Sequence, residues 1–199
     1  MSGRIKLCGV RTPADAILCA EEGADEIGVI FAERSKRRVT VATAREIRRA
    51  VPAQIPIVGV FLDARLDDVL RTVREAGLQA AQLHGLWITG DTFPFYAALQ
   101  VTGADSLQDR PGAARILLDG PAGGSGKSFA WSLAGEARRR YAGTPLYVSG
   151  GLHAGNVAEA IREARPDGVD VASGIEDESG FKDRERVRAF VRAAREAFP

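Results

Sequence analysis

The sequence predicts a closed barrel of eight parallel strands, a (β/α)8 fold of the TIM type formed as one domain over residues 1–199. Three observations predict it. Short apolar runs rich in β-branched residues alternate with longer stretches of helical periodicity, the pattern of a parallel sheet joined by crossover helices. The apolar runs number eight. The residues with the greatest chemical potential, Cys8, His84, Asp119, Gly150 and Ser173, stand at the C-terminal ends of those runs, where such barrels build their sites. An open doubly wound sheet binds ligands at the same end, so it is the rival fold; the count of eight favours the barrel.

Each element has its own signal. Ile5 to Val10 reads as the first strand. Thr12-Pro13-Ala14-Asp15 opens a helix, with Thr12 able to cap, Pro13 suited to the first helical position and Asp15 favourable at the positive helix end. Ala24 to Phe31 is a second strand, and Ala42 to Val51 has helical spacing. Ile55 to Phe61 is a third strand, Arg65 to Ala76 a third helix, and Leu78 to His84 a fourth strand. Phe95 to Val101 is a weaker fifth strand and Ala114 to Asp119 a sixth. Trp131 to Tyr141 is helical, Leu146 to Gly151 a strand, Gly155 to Arg165 a helix, Gly168 to Gly174 the last strand, and Asp183 to Ala197 a long final helix.

The chain is short against the roughly 250 residues of a typical barrel, and the shortage is localised. Leu86 to Pro94 is too short for a normal crossover helix, and Thr102 to Gly112 is only weakly helical. The fourth and fifth outer helices are therefore expected to be shortened or replaced by loops.

Composition narrows the function. Hydrophobic residues make up 45% of the chain, enough for a sizeable core, and 27 basic residues nearly balance 26 acidic ones. Such a surface gives no nucleic-acid footprint and no polybasic membrane anchor. No stretch approaches the roughly 18 apolar residues of a membrane span, and the N-terminus lacks a signal-peptide run. The two cysteines, Cys8 and Cys19, are too few for a disulfide scaffold. The expectation is a soluble cytoplasmic protein, in which an anionic substrate would need a local positive site.

Several residues invite chemistry. Cys8 is either a small buried hydrophobe or a thiol facing the barrel mouth. Alternation puts Lys6 on the same face one layer below, where a buried lysine needs a partner that Asp170, on the strand closing the barrel, can supply. Asp119 ends the apolar strand Ile116-Leu117-Leu118 and is either a general acid with a raised pKa or a cap. Gly123-Gly124-Ser125-Gly126-Lys127-Ser128 fails the P-loop pattern because Pro121 stands where its first glycine belongs, so it reads as a flexible loop over the site. Gly150-Gly151 and Ser173-Gly174 close the seventh and eighth strands, where small residues let backbone N–H groups approach a phosphate. In Ser35-Lys36-Arg37-Arg38 an arginine fork can hold a carboxylate. His84 is a structural residue or a site residue, and no His, Cys and Asp cluster has metal-ligand spacing.

Together these residues resemble the phosphoribosylanthranilate isomerase family. Lys6-Leu7-Cys8-Gly9 resembles its K-I-C-G, Phe31 to Val39 its F-A-x-x-S-x-R-x-V, and Gln82-Leu83-His84-Gly85 its Q-L-H-G. Leu117-Leu118-Asp119 followed by Gly124 to Phe129 and Trp131 is similar to L-L-D and G-[ST]-G-K-x-F-x-W. Gly150-Gly151-Leu152 with Asn156-Val157, and Asp170 to Glu176 with Gly180 and Lys182, complete the match nearly end to end. The resemblance implies an Amadori rearrangement of N-(5-phosphoribosyl)anthranilate in tryptophan biosynthesis, without cofactor or metal. It implies Cys8 as the base at C2, Asp119 as the acid at the ring oxygen, and Arg37 at the substrate carboxylate. Gly151, Ser173 and Gly174 would lie at the phosphate, with His84 and Asp170 also on the substrate side. A cation such as Lys6 is expected to lower the Cys8 pKa. Partners beyond the phosphorylated substrate are not expected, apart from a weak homodimer as the alternative to a monomer.

The departures are Leu86 to Gly90 in place of an acidic helix start, Ala97-Ala98 for a usual Lys-Ala, and Ser149-Gly150-Gly151 for A-G-G. The rival readings are a sugar isomerase of the histidine pathway or a dual-substrate relative, which carries a carboxylate where Cys8 stands, and a non-catalytic barrel that binds a phosphorylated metabolite.

Overall fold

A computed structural model describes residues 3–85, 87, 93–120, 131 and 133–199. Its eight strands close into one parallel barrel in sequential order. They are β1 (Arg4–Leu7), β2 (Glu26–Ile30), β3 (Ile57–Leu62), β4 (Ala80–His84), β5 (Phe95–Gln100), β6 (Arg115–Asp119), β7 (Leu146–Ser149) and β8 (Gly168–Val171). β8 pairs with β1 to close the ring, with Lys6 opposite Asp170. The open-sheet alternative is thereby excluded.

Among the described residues the outer layer holds six α-helices: α1 (Pro13–Glu21), α2 (Val41–Ala50), α3 (Leu66–Ala76), α4 (Ala134–Arg140), α5 (Val157–Ala164) and α6 (Arg184–Ala197). Thr12 caps α1 as its sequence signal requires, accepting from the Asp15 N–H at 3.1 Å, and Asp183 caps α6 by accepting from the Arg186 N–H at 2.8 Å. Between β5 and β6 the crossover contains only a 3-10 turn, Ala104–Ser106. Between β4 and β5, the described Trp87 and Phe93 are not helical, and 86 and 88–92 lie outside the described residues. The outward face of β5 is nevertheless dry: Phe95, Ala97 and Leu99 are buried. Trp87 and Phe93 pack on the same core, which also holds Leu107 and Trp131. Large loop side chains cover strands that a helix covers elsewhere.

Strand boundaries differ from the sequence expectation by one to three residues, and two of these differences shape the mouth. β1 stops at Leu7, so Cys8 is the first residue beyond it, although the Cys8 N–H still donates to Val171 O at 2.7 Å. The last strand stops at Val171, and Ser173 opens a 3-10 turn, Ser173–Ile175. The small residues after Val171 favour tightening of the chain over continued pairing, and that turn shapes the mouth.

Inside the ring, period-two alternation stacks polar side chains in layers. At the N-terminal floor, the Arg115 guanidinium lies 4.8 Å from the ring centres of both Tyr96 and Tyr147 and pairs with fully buried Glu26. Gly168 leaves room for the Tyr147 ring, whose Cζ would sit 2.5 Å from a Cβ placed there. One layer up, the Lys6 Nζ donates to Asp170 Oδ1 at 2.9 Å, both groups buried. Cys8 and Asp119 form the layer above, at the mouth.

Candidate active site

The mouth holds a cavity of about 490 Å³. Cys8, His84, Asp119, Gly151, Asp170, Ser173 and Gly174 all border it, so the barrel gathers residues from five strand ends that the sequence scatters over 167 positions. Cys8 arrives from β1 and Asp119 from β6, because each follows an inward-facing residue of its strand (Lys6 and Leu117) by two positions. The thiol has room because β2 carries Gly28, where an added Cβ would lie 2.6 Å from the Cys8 Sγ.

Asp119 has the electrostatics of an acid. Burial pushes its carboxyl up, the Ser149 hydroxyl pulls it down, Asp170 pushes it up and Lys6 pulls it down, leaving it at about 6. The Ser149 Oγ donates to Asp119 Oδ1 at 3.0 Å. That bond fixes one carboxyl oxygen and leaves Oδ2 as the atom to carry a proton.

Cys8 corrects an expectation. Its thiol is raised from the ordinary value, not lowered. Burial is the largest cause; Lys6 opposes it, but Asp170 adds to it. Lys6 has committed its charge to Asp170, so the thiol feels the field of an ion pair rather than that of a free cation. Burial is also the largest single influence on Lys6 and opposes its charge, yet Asp170, Cys8 and Glu26 together outweigh it and hold the ammonium above the lysine range.

His84 is uncharged near neutrality, held at about 4 by burial and by the Lys6 charge. Its Nε2 lies 2.9 Å from Gln82 Nε2, so an amide N–H donates to a neutral ring. The Gln82 Oε1 is buried without a partner among the described residues and borders the same cavity. The pair offers a ligand hydrogen bonds without charge.

The opposite rim consists of backbone. Gly150 and Gly151 have φ of +87° and +66°, which glycine adopts without strain. A Cβ on Gly174 would lie 2.0 Å from Leu152 O, so the loops after β7 and β8 pack main chain against main chain. Asn156 braces the first loop, accepting from the His153 N–H at 2.8 Å and donating to Gly151 O at 3.0 Å. The leading N–H groups of the Ser173–Ile175 turn have no acceptor within the turn and are suited to an anion.

Arg37 is the one expected site residue not on the cavity wall. Its guanidinium makes two bonds to Glu176, Nε to Oε1 at 2.6 Å and Nη2 to Oε2 at 2.7 Å. The glycine loop 123–128 lies outside the described residues. The sequence reading gave no role to Gly28, Ser149, Gln82 or Glu176. For Gly28 the signal was a glycine inside a strand, and for Ser149 it was the departure from A-G-G. Among the described residues, no group of three or more His, Cys, Asp or Glu is placed to hold a metal ion.

A family model described as N-(5′-phosphoribosyl)anthranilate (PRA) isomerase matches residues 5–193. A Myxococcus xanthus protein named N-(5′-phosphoribosyl)anthranilate isomerase is 45% identical, over 98% of this chain and 97% of its own length. Among solved structures, the phosphoribosylanthranilate isomerase of Thermotoga maritima superposes with a TM-score of 0.88 at 34% identity, over 98% of this chain and 99% of that one. A phosphoribosylanthranilate isomerase bound to reduced 1-(o-carboxyphenylamino)-1-deoxyribulose 5-phosphate superposes at 0.86 with 32% identity, over 98% and 99%.

Proposed function

The chain belongs to the N-(5′-phosphoribosyl)anthranilate isomerase family, and we propose that Asp119 and Cys8 carry the Amadori isomerisation of its tryptophan-pathway substrate. The observation that carries this reading is a single cavity walled by a raised carboxyl on one side and a thiol on the other, with a rim of glycine-bearing backbone.

The chemistry follows from the positions. The furanose ring oxygen leaves poorly until protonated, and Asp119 gives it the proton. Ring opening produces an iminium at C1, which acidifies the C2–H. The Cys8 thiolate takes that proton and leaves an enaminol. Loss of the O2 proton and gain of one at C1 then give the 1-deoxyribulose phosphate. The change is internal, so atoms and electrons balance without a co-substrate. Gly151 and the Ser173-Gly174 turn hold the phosphate, Arg37 takes the anthranilate carboxylate, and His84 and Asp170 border the sugar.

With the acid near 6 and the thiol well above it, the working pair is the protonated acid with the thiolate, a minority of molecules. Its fraction is flat between the two pKa values and falls outside them. The low limb of kcat/KM therefore reports Asp119 and the high limb Cys8. Recording that profile tests the assignment: a low limb near 6 supports it, and a profile with no low limb removes Asp119 from the acid role. Replacing Gly174 with a bulky residue raises KM strongly; unchanged kinetics would take the phosphate away from these loops.

No described helix is long and apolar enough to cross a membrane. The protein works in the cytoplasm as one barrel domain, monomeric or weakly dimeric; light scattering across concentrations checks the assembly state.

A further inference from the structure

We propose that Glu176 is a positioning residue, fixing Arg37 by one edge of its guanidinium so that the other edge meets the substrate carboxylate. The proposal rests on the reading of Arg37 as the carboxylate-binding group and adds the device that aims it. Glu176 engages Nε and Nη2 together, the side-on edge of the fork. A guanidinium has five N–H donors, so Nη1 and the second Nη2 hydrogen are left over, and no described residue accepts from Nη1. The leftover edge is itself a two-donor match for a carboxylate.

Five further observations show a built mount. The Arg37 stem runs over Gly9, whose φ is +75° and where an added Cβ would lie 2.6 Å from Arg37 Cδ, so the arm crosses the chain next to Cys8. Glu176 does not swing freely, because fully buried Lys182 Nζ donates to its Oε1 at 2.9 Å and to Ala172 O at 3.1 Å. The three side chains carry two positive charges and one negative, which leaves one positive charge for an incoming anion. Arg37 keeps 31% of its side chain exposed while Glu176 keeps 7%, so the carboxylate is the fixed partner and the guanidinium is the presented one. Glu176 also directly follows the Ser173–Ile175 turn. One stretch of backbone thus sets the phosphate rim and aims Arg37, which references both ends of the substrate to the same support.

The test compares kcat/KM for N-(5-phosphoribosyl)anthranilate with kcat/KM for N-(5-phosphoribosyl)aniline, which lacks only the carboxylate. The ratio of the two cancels general losses of folding or chemistry. Glu176→Gln is expected to lower the ratio about tenfold, the scale of one misaligned charged hydrogen bond. Arg37→Ala should lower it at least as far, and adding Glu176→Gln to Arg37→Ala should lower it no further. Glu176→Asp retains a counter-ion for Lys182 but withdraws its oxygens by one methylene, so its ratio falls too. If Glu176→Gln and Glu176→Asp keep the wild-type ratio while Arg37→Ala loses it, Glu176 is only a structural ion pair and the inference is overturned. If Arg37→Ala itself keeps the ratio, the carboxylate reading of Arg37 fails first.

Discussion

The barrel has two charged ends that look alike in composition and behave oppositely. At the floor, Arg115 is wedged between Tyr96 and Tyr147 and paired with Glu26, with Arg4 at 3.5 Å from the same carboxylate. Burial pushes the Glu26 carboxyl up, and Arg115, Lys6 and Arg4 pull against it. The charges there are paired through Glu26 Oε1, while Glu26 Oε2 is buried without a hydrogen-bond partner among the described residues. At the mouth, Asp119 has one hydroxyl partner, Cys8 has no counter-charge of its own, and a cavity of about 490 Å³ stands between them. The Lys6–Asp170 pair separates the two ends. The lesson is that polarity inside a barrel does not mark the site; titratable groups bordering a cavity do.

That contrast can be broken at either end. Asp119→Asn should lose at least about 10²-fold in kcat with little change in denaturation midpoint, because it removes a proton and not a contact. A stability loss matching the activity loss would make Asp119 a structural residue. Arg115→Met should do the reverse. Removing one partner of a buried pair costs about 3–5 kcal/mol, so urea unfolding should show a loss of that order while kcat on the folded fraction stays close to wild type. A large fall in kcat without destabilisation would erase the distinction between the ends.

Smaller changes sharpen it. Ser149→Ala removes the hydroxyl that pulls the Asp119 carboxyl down. The Asp119 pKa then rises, and the low limb of kcat/KM moves to higher pH. Titration of the substrate phosphate would be indifferent to Ser149, so an unmoved limb assigns it to the substrate. Thr12→Ala, remote from both ends, should cost about 1 kcal/mol through the lost α1 cap and leave the pH profile in place.

How much of this was legible depended on the range of each interaction. The strands and the Thr12 cap were readable because alternation and capping are local rules. The missing fifth helix was readable from Thr102 to Gly112, since that stretch is only weakly helical. The Lys6–Asp170 pair followed from alternation plus closure of the ring. The sign of the Cys8 shift did not, because it depends on burial and on Lys6 being already paired. The Arg37–Glu176 contact spans 139 positions, and the space Gly28 leaves for the thiol exists only once β1 and β2 lie side by side. Neither has a sequence period to announce it.

The central claim is that the mouth performs the chemistry through the thiol. The most direct test is kcat of Cys8→Ser on freshly generated substrate, followed by the loss of anthranilate-adduct fluorescence, beside the binding of a reduced product analogue. A serine hydroxyl preserves the shape but is far harder to deprotonate than a thiol. The account predicts a fall in kcat of at least about 10²-fold with analogue binding intact. Near-wild-type kcat would contradict it: Cys8 would then be packing, and the proton at C2 would leave to another group.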